Sequence, residues 1–197
     1  MLMTHSQKSS RGISLIEVLV TIVILLVGLL GLAGLQGRAL TSQMEAYQRS
    51  QALILLKDMA HRINANRTNA PAYVTTTRTP YAYLGTDNAA VTNCTVVAIG
   101  QARDFCEWNN ALLGAAEKQS GGNVGAMIGA RGCVTQLSAG GVGISSDYLI
   151  QVVWQGLNST AASPGLTCGQ NLYPNATSPN EALRRVVSLP ISIANLN

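Results

Sequence analysis

Gly12-Ile13-Ser14-Leu15-Ile16-Glu17-Val18-Leu19-Val20 opens the apolar run whose reading decides the fold. Twenty consecutive residues, Val18 to Gly37, carry no charge. As a helix, at about 1.5 Å per residue, they match a hydrocarbon core of roughly 30 Å. Glu17 is the exception, a lone carboxylate near the start of the run. An unpaired acid in that setting costs on the order of 2.5–3.5 kcal/mol even on lenient insertion scales. A helix that only had to anchor the chain would be better served by Leu or Val, so Glu17 implies a partner charge. A secretory signal reads differently: its apolar region is about 7–15 residues long and ends in a small-residue cleavage site. This run is longer, and no clear Ala-x-Ala follows it.

Upstream lies a short polar leader with Lys8 and Arg11, ending in Gly12, after which the apolar segment begins at once. The combination of a basic leader ending in Gly, a Glu five residues on and about twenty apolar residues resembles the class III signal of type IV pilins and pseudopilins. The resemblance implies that a prepilin peptidase cuts the Gly12–Ile13 bond and N-methylates the new terminus at Ile13. It also puts Glu17 at the family's acidic fifth mature position, an assembly residue. The family more often begins with Phe or Met, so Ile13 is a departure. The implied fold is α+β, a long N-terminal helix, half transmembrane and half amphipathic, packed on a small antiparallel sheet. The implied organisation is a cleaved leader over 1–12, a transmembrane and assembly helix over 13–37, and a periplasmic head over 38–197.

The composition is compatible with that plan. Thirteen Lys and Arg against nine Asp and Glu give +4, and losing Lys8 and Arg11 with the leader lowers it to +2. The basic residues are scattered, so there is no nucleic-acid footprint. Cys94, Cys106, Cys133 and Cys168 all lie beyond the apolar segment, and none forms a C-x-x-C pair, which argues against zinc. An even set of cysteines in an extracytoplasmic domain reads as two disulfides. Four cysteines allow three connectivities. The local pairs Cys94–Cys106 and Cys133–Cys168, each stapling one loop, are favoured here over the other two.

Taken in order, Gly28, Gly31, Gly34 and Gly37 recur within the span. They suit close packing of neighbouring helices, or local unwinding, since Gly costs up to about 1 kcal/mol per helical position. Leu40, Met44, Tyr47, Leu55, Met59 and Ile63 carry the helical spacing onward, with Glu45–Arg49 and Asp58–Arg62 as favourable i,i+4 pairs. The run Leu53-Ile54-Leu55-Leu56 suggests burial on more than one side. The helix is expected to fade at Asn64-Ala65-Asn66 and to be closed by Pro71. Residues 67–130 read mostly as loop, with Asp104 capping a short helix to about Lys118. Strands are expected at Cys133–Leu137, Asp147–Gln155 and Arg184–Ile193, with Pro190 marking an edge or bulge. One sheet face is expected to bury Leu149, Val153 and Val187 or their alternates.

Catalytic chemistry finds no foothold. His5 leaves with the leader, His61 sits on the long helix, and no nucleophile elbow, phosphate loop or zinc-protease motif is present. The reading is a non-enzyme with no cofactor and no metal. The stretch Gly12–Gln36, ending Leu29-Leu30-Gly31-Leu32-Ala33-Gly34-Leu35-Gln36, and the tail Arg184-Arg185-Val186-Val187-Ser188-Leu189 look like the PilV minor pilins, the type IV pilus modification proteins. The likeness is close over the first third of the chain and loose over the head. It implies a tip or initiation complex that primes pilus assembly and supports adhesin display, motility and adhesion. The implied partners are other minor pilins, the major pilin, a tip adhesin, the prepilin peptidase and the inner-membrane assembly platform. The implied location is the inner membrane, N-terminus cytoplasmic, and then the fibre. The rivals are a minor pseudopilin of a type II secretion system and a membrane-anchored periplasmic binding domain that never polymerises.

Overall fold

A computed structural model of the chain describes residues 12–114, 118–119, 122–123, 127–141, 143–161, 163–173 and 181–194. The leader, with His5, Lys8 and Arg11, lies outside the described residues apart from Gly12. The chain divides into two compact units, Met1–Gln43 and Met44–Asn197.

Helix α1 runs from Leu15 to Ala65. It begins where the Ser14 carbonyl accepts the Glu17 and Val18 amides at 3.0 and 3.3 Å. It ends one residue before Asn66, as expected. Pro71 does not close it: the chain continues as a 3₁₀ segment, Arg67–Tyr73, with Pro71 inside. The remaining elements are β1 (Leu84–Gly85), a 3₁₀ turn (Cys94–Val96), α2 (Gln101–Leu112), β2 (Lys118–Gln119), β3 (Gly122–Asn123), β4 (Ile128–Ser138), β5 (Ser146–Gln155) and β6 (Arg184–Ile193). Residues 67–130 are therefore more structured than their loop-like composition implied.

The main sheet is antiparallel in the order β1-β4-β5-β6, and among the described residues β2 pairs with β3 alone. The three anticipated strands are β4, β5 and β6, with β4 starting five residues before Cys133. Pro190 lies in β6 opposite Leu149, on an edge strand where its missing N–H removes no ladder bond from a further neighbour. The alternation of β5 resolves into Tyr148, Ile150, Val152 and Trp154 on the face packed with α1. Val187, opposite Val152, joins that core. Val153 points to a second cluster with Tyr83, Cys133, Cys168 and Tyr173, and Leu149 is only partly buried. The helix-facing set thus keeps Val187 from the residues named in the sequence and takes the alternates of Leu149 and Val153 in β5.

Helix α1 buries Met59 and Ile63 as the helical spacing predicts and packs Leu55 against the core, but the first half of the expected stripe is not buried. Gln48, Ala52, Leu56, Met59, Ala60 and Ile63 face the core. Leu40, Met44 and Tyr47 stay exposed, and so do Leu53 and Ile54, so burial of the Leu53–Leu56 run is one-sided. Within the buried stripe Ala52 and Ala60 let the sheet side chains approach the helix closely, and Leu56, Met59 and Ile63 fill the space between them. Glu45 bonds Arg185 of β6 at 3.3 Å rather than forming the anticipated pair with Arg49.

Helix α2 is capped differently from the expectation too. Its N-cap is Gly100, at φ 107°, and Asp104 lies inside the first turn with its amide bonded to the Gly100 carbonyl. It ends at Leu112, and Lys118 belongs to β2. Asp104 is spent instead on tertiary contacts described below. Trp108, fully buried, anchors α2 by donating its indole N–H to the Leu55 carbonyl at 2.9 Å. The ring lies against Gly132 of β4, where an added Cβ would sit 2.2 Å from the indole.

Candidate functional site

The N-terminal unit offers an apolar helix on which none of the described residues packs. Its most apolar 18-residue window has a mean hydropathy of 2.9 and is wholly unburied, which makes α1 long and apolar enough to cross a membrane. Ile13, Leu15 and Ile16 are 76, 82 and 68% exposed. Thr21 donates to the Val18 carbonyl and Thr41 to the Gly37 carbonyl, so the hydroxyls are satisfied along the helix itself. Glu17 has no such outlet. It is exposed in the first turn, and its carboxylate has no hydrogen bond or ion pair among the described residues. A carboxylate there is favoured by the unsatisfied amides of the helix start, though only by some tenths of a kcal/mol to about 1 kcal/mol. That does not offset the cost of an acid in lipid. Gly12 and Ile13 precede the helix outside any regular element. A Cβ added at Gly28, Gly31, Gly34 or Gly37 would meet nothing within 4 Å, so these glycines serve no contact inside the isolated chain.

The C-terminal unit is held by two disulfides and a few charged knots. Cys94–Cys106 ties the 3₁₀ turn to α2, and Cys133–Cys168 ties β4 to the loop before β6. Arg62, near the end of α1, bonds Asp58 at 3.0 Å, Asp104 at 3.0 Å and Glu107 at 2.6 Å. Tyr73 donates to Asp104 as well, so the Arg62–Asp104 pair joins α1, the 3₁₀ segment and α2. Burial pushes the Tyr73 phenol up to about 12, reinforced by that bond to an acid. Arg131 stacks between the rings of Tyr83 and Tyr173 and bonds Asp87 at 2.7 Å, which holds the Asp87 carboxyl below its usual range. Only the Asp58–Arg62 half of these networks has a sequence signal, its i,i+4 spacing; the others join residues 25 or more positions apart by folding alone. His61 is exposed on α1.

The helix, the sheet and the lone acid at the apolar start together define a pilin-type architecture, the type IV pilin fold. Comparison with family models agrees: residues 7–33 match the prokaryotic N-terminal methylation motif, a span that contains Gly12, Ile13 and Glu17. More particularly, residues 34–107 match the Tt1218-like model, described as type IV pilin Tt1218. The chain is thus similar to type IV pilins over residues 7–107. Comparison with curated proteins and with solved structures found no match. The pilin family is one of structural subunits, which implies processing by prepilin peptidase, anchoring through the apolar helix and assembly with other pilins.

Proposed function

We propose that the chain is a minor pilin of the PilV kind. In this reading residues 1–12 are a leader removed at Gly12–Ile13, 13–37 are the membrane and assembly helix, and 38–197 are the periplasmic head. The subunit joins a tip or initiation complex with other minor pilins, primes growth of the major pilin fibre and supports display of a tip adhesin. It has no catalytic role. The observation that carries the proposal is the position of Glu17, an acid without a partner among the described residues, at the start of an unburied apolar window and inside a methylation motif.

The mechanism is electrostatic. Cleavage would free an amine at Ile13, and N-methylation leaves it cationic. Glu17 of one subunit then pairs with the Ile13 amine of its neighbour. At about 4 Å and an effective dielectric near 20 such a pair is worth about 4 kcal/mol, comparable to the cost of leaving the acid alone in lipid. Since both charges are costly apart, the pair selects one axial register among the many that apolar helices could adopt. Glu17→Ala should be cleaved normally, because the change lies outside the scissile bond, and should be absent from fibres sheared off the cell. Wild-type levels of the variant in sheared fibres would refute the pairing. Recovery of even the native chain only from the membrane fraction would favour the non-polymerising reading.

A further inference from the structure

The head carries a cleft of about 440 Å³ between the 78–97 segment and α2. Its apolar walls are Leu84, Val91, Val97, Ala102 and Phe105, and Arg78 stands among them. The guanidinium lies 5.4 Å from the centre of the Phe105 ring and donates to the Tyr83 carbonyl at 3.1 Å. Among the described residues it has no acid. Asp87 is committed to Arg131, and Asp104 and Glu107 to Arg62. Partial burial lowers the Arg78 pKa from its usual value, with no carboxylate nearby to raise it again. Arg62 and Arg131, each given acids, are shifted the other way. A half-buried cation without a counter-charge, on an apolar floor, is a site short of an anion.

The rim of the cleft is rigid and greasy. Cys94–Cys106 fixes the 3₁₀ turn on α2, and Arg103 clamps the turn by bonding the Thr95 and Val97 carbonyls. The clamped turn presents Val96 to solvent, and the short link from it to α2 presents Ile99, 79 and 86% exposed. Two large aliphatic side chains held outward beside a cleft mark a protein contact rather than a small-ion site.

We propose that this cleft docks a segment of a partner protein that presents a carboxylate flanked by aliphatic side chains. The carboxylate meets Arg78, and the aliphatic neighbours lie on Phe105, Val97 and the Val96–Ile99 rim. The inference relies on the assembly reading only to supply such a partner. Its test uses no fibres, so the two can fail separately.

The test is an NMR titration of the isotope-labelled full chain in detergent micelles, with N-acetyl-Leu-Glu-Leu-amide as probe. Saturable shifts are expected at Arg78 Nε and at the amides of Val97, Gln101, Ala102 and Phe105. The uncharged Leu-Gln-Leu counterpart should bind at least about tenfold more weakly, the loss of one charge-assisted hydrogen bond. Arg78→Gln should weaken the probe by the same factor. Ala102→Glu, an exposed change that adds a carboxylate at the cleft mouth, should do so without disturbing the fold, and it decides the matter should Arg78→Gln misfold. Absence of saturable shifts, equal binding of the two peptides, or full binding by Ala102→Glu would overturn the proposal. So would inorganic phosphate binding as tightly at the same residues, which would make this a point-anion site instead.

Discussion

Replacing Gly132 with Ala tests how the head is locked. A methyl at this position in β4 would lie 2.2, 2.6 and 2.8 Å from Cη2, Cζ3 and Cζ2 of Trp108. Those contacts are impossible, so either the strand or the indole must move. The strand is held on both sides, by Leu84 of β1 and Val152 of β5. The indole is fully buried and tied to the Leu55 carbonyl. Overpacking a filled core costs about 1–3 kcal/mol. Pulling the indole N–H off its carbonyl adds about 1–3 kcal/mol for a buried donor left without an acceptor. The sum, about 2–6 kcal/mol, corresponds to a loss of roughly 4–24 °C in Tm at about 2–4 °C per kcal/mol for a chain of this size. The assay is thermal and urea unfolding of the full chain in detergent with disulfides intact, followed by tryptophan fluorescence. Trp108→Leu in the same background should recover part of the loss, because the shorter side chain leaves room for the methyl. Gly132→Ala within about 0.5 kcal/mol of wild type, with an unchanged Trp108 environment, would refute the packing argument.

Three further outcomes follow from the charged networks. Arg62→Met should destabilise the head by about 2–3 kcal/mol, between the values for surface and buried pairs, because it strands three acids around a site that is one-fifth exposed; a urea midpoint unchanged at constant m-value would contradict this. In acid, Asp87 matters: its folded pKa lies below its unfolded value near 3.9. Its pair with Arg131 therefore contributes fully above about pH 4, and the contribution is lost as pH falls through the folded value. Asp87→Asn should flatten that part of an acid titration of stability, and an unaltered acid limb would count against the pairing. At the alkaline end Tyr73 and Tyr173, both pushed up to about 12 chiefly by burial, should keep their protons past the ordinary value near 10.

Much of this architecture is legible in the residues because periodicity reports local environment. The alternation from Asp147 to Gln155 gives β5 almost to the residue, since a strand between two clusters must be apolar on both sides in turn. The end of α1 at Asn64-Ala65-Asn66 follows from local composition. The local disulfide pairing observed is the one favoured beforehand, but spacing alone had left the other two open. What composition hides is which apolar stripe is buried. Leu40, Met44 and Tyr47 look like core by hydropathy, yet the sheet takes the stripe with Ala52 and Ala60, where small side chains permit contact. Asp104 looked like a cap because acids suit helix starts. Its pull toward Arg62 and Tyr73, which are 42 and 31 positions away, leaves no trace in the local sequence. Glu17, in contrast, is legible because it breaks the local rule. The structure leaves its carboxylate without a partner among the described residues.

The most direct test of that reading is the mass of the amino-terminal peptide of the protein recovered from cells. The account predicts a chain beginning at Ile13 and carrying one N-methyl group, with Glu17 five residues in. A chain that retains residues 1–12, or one that begins elsewhere, would contradict it.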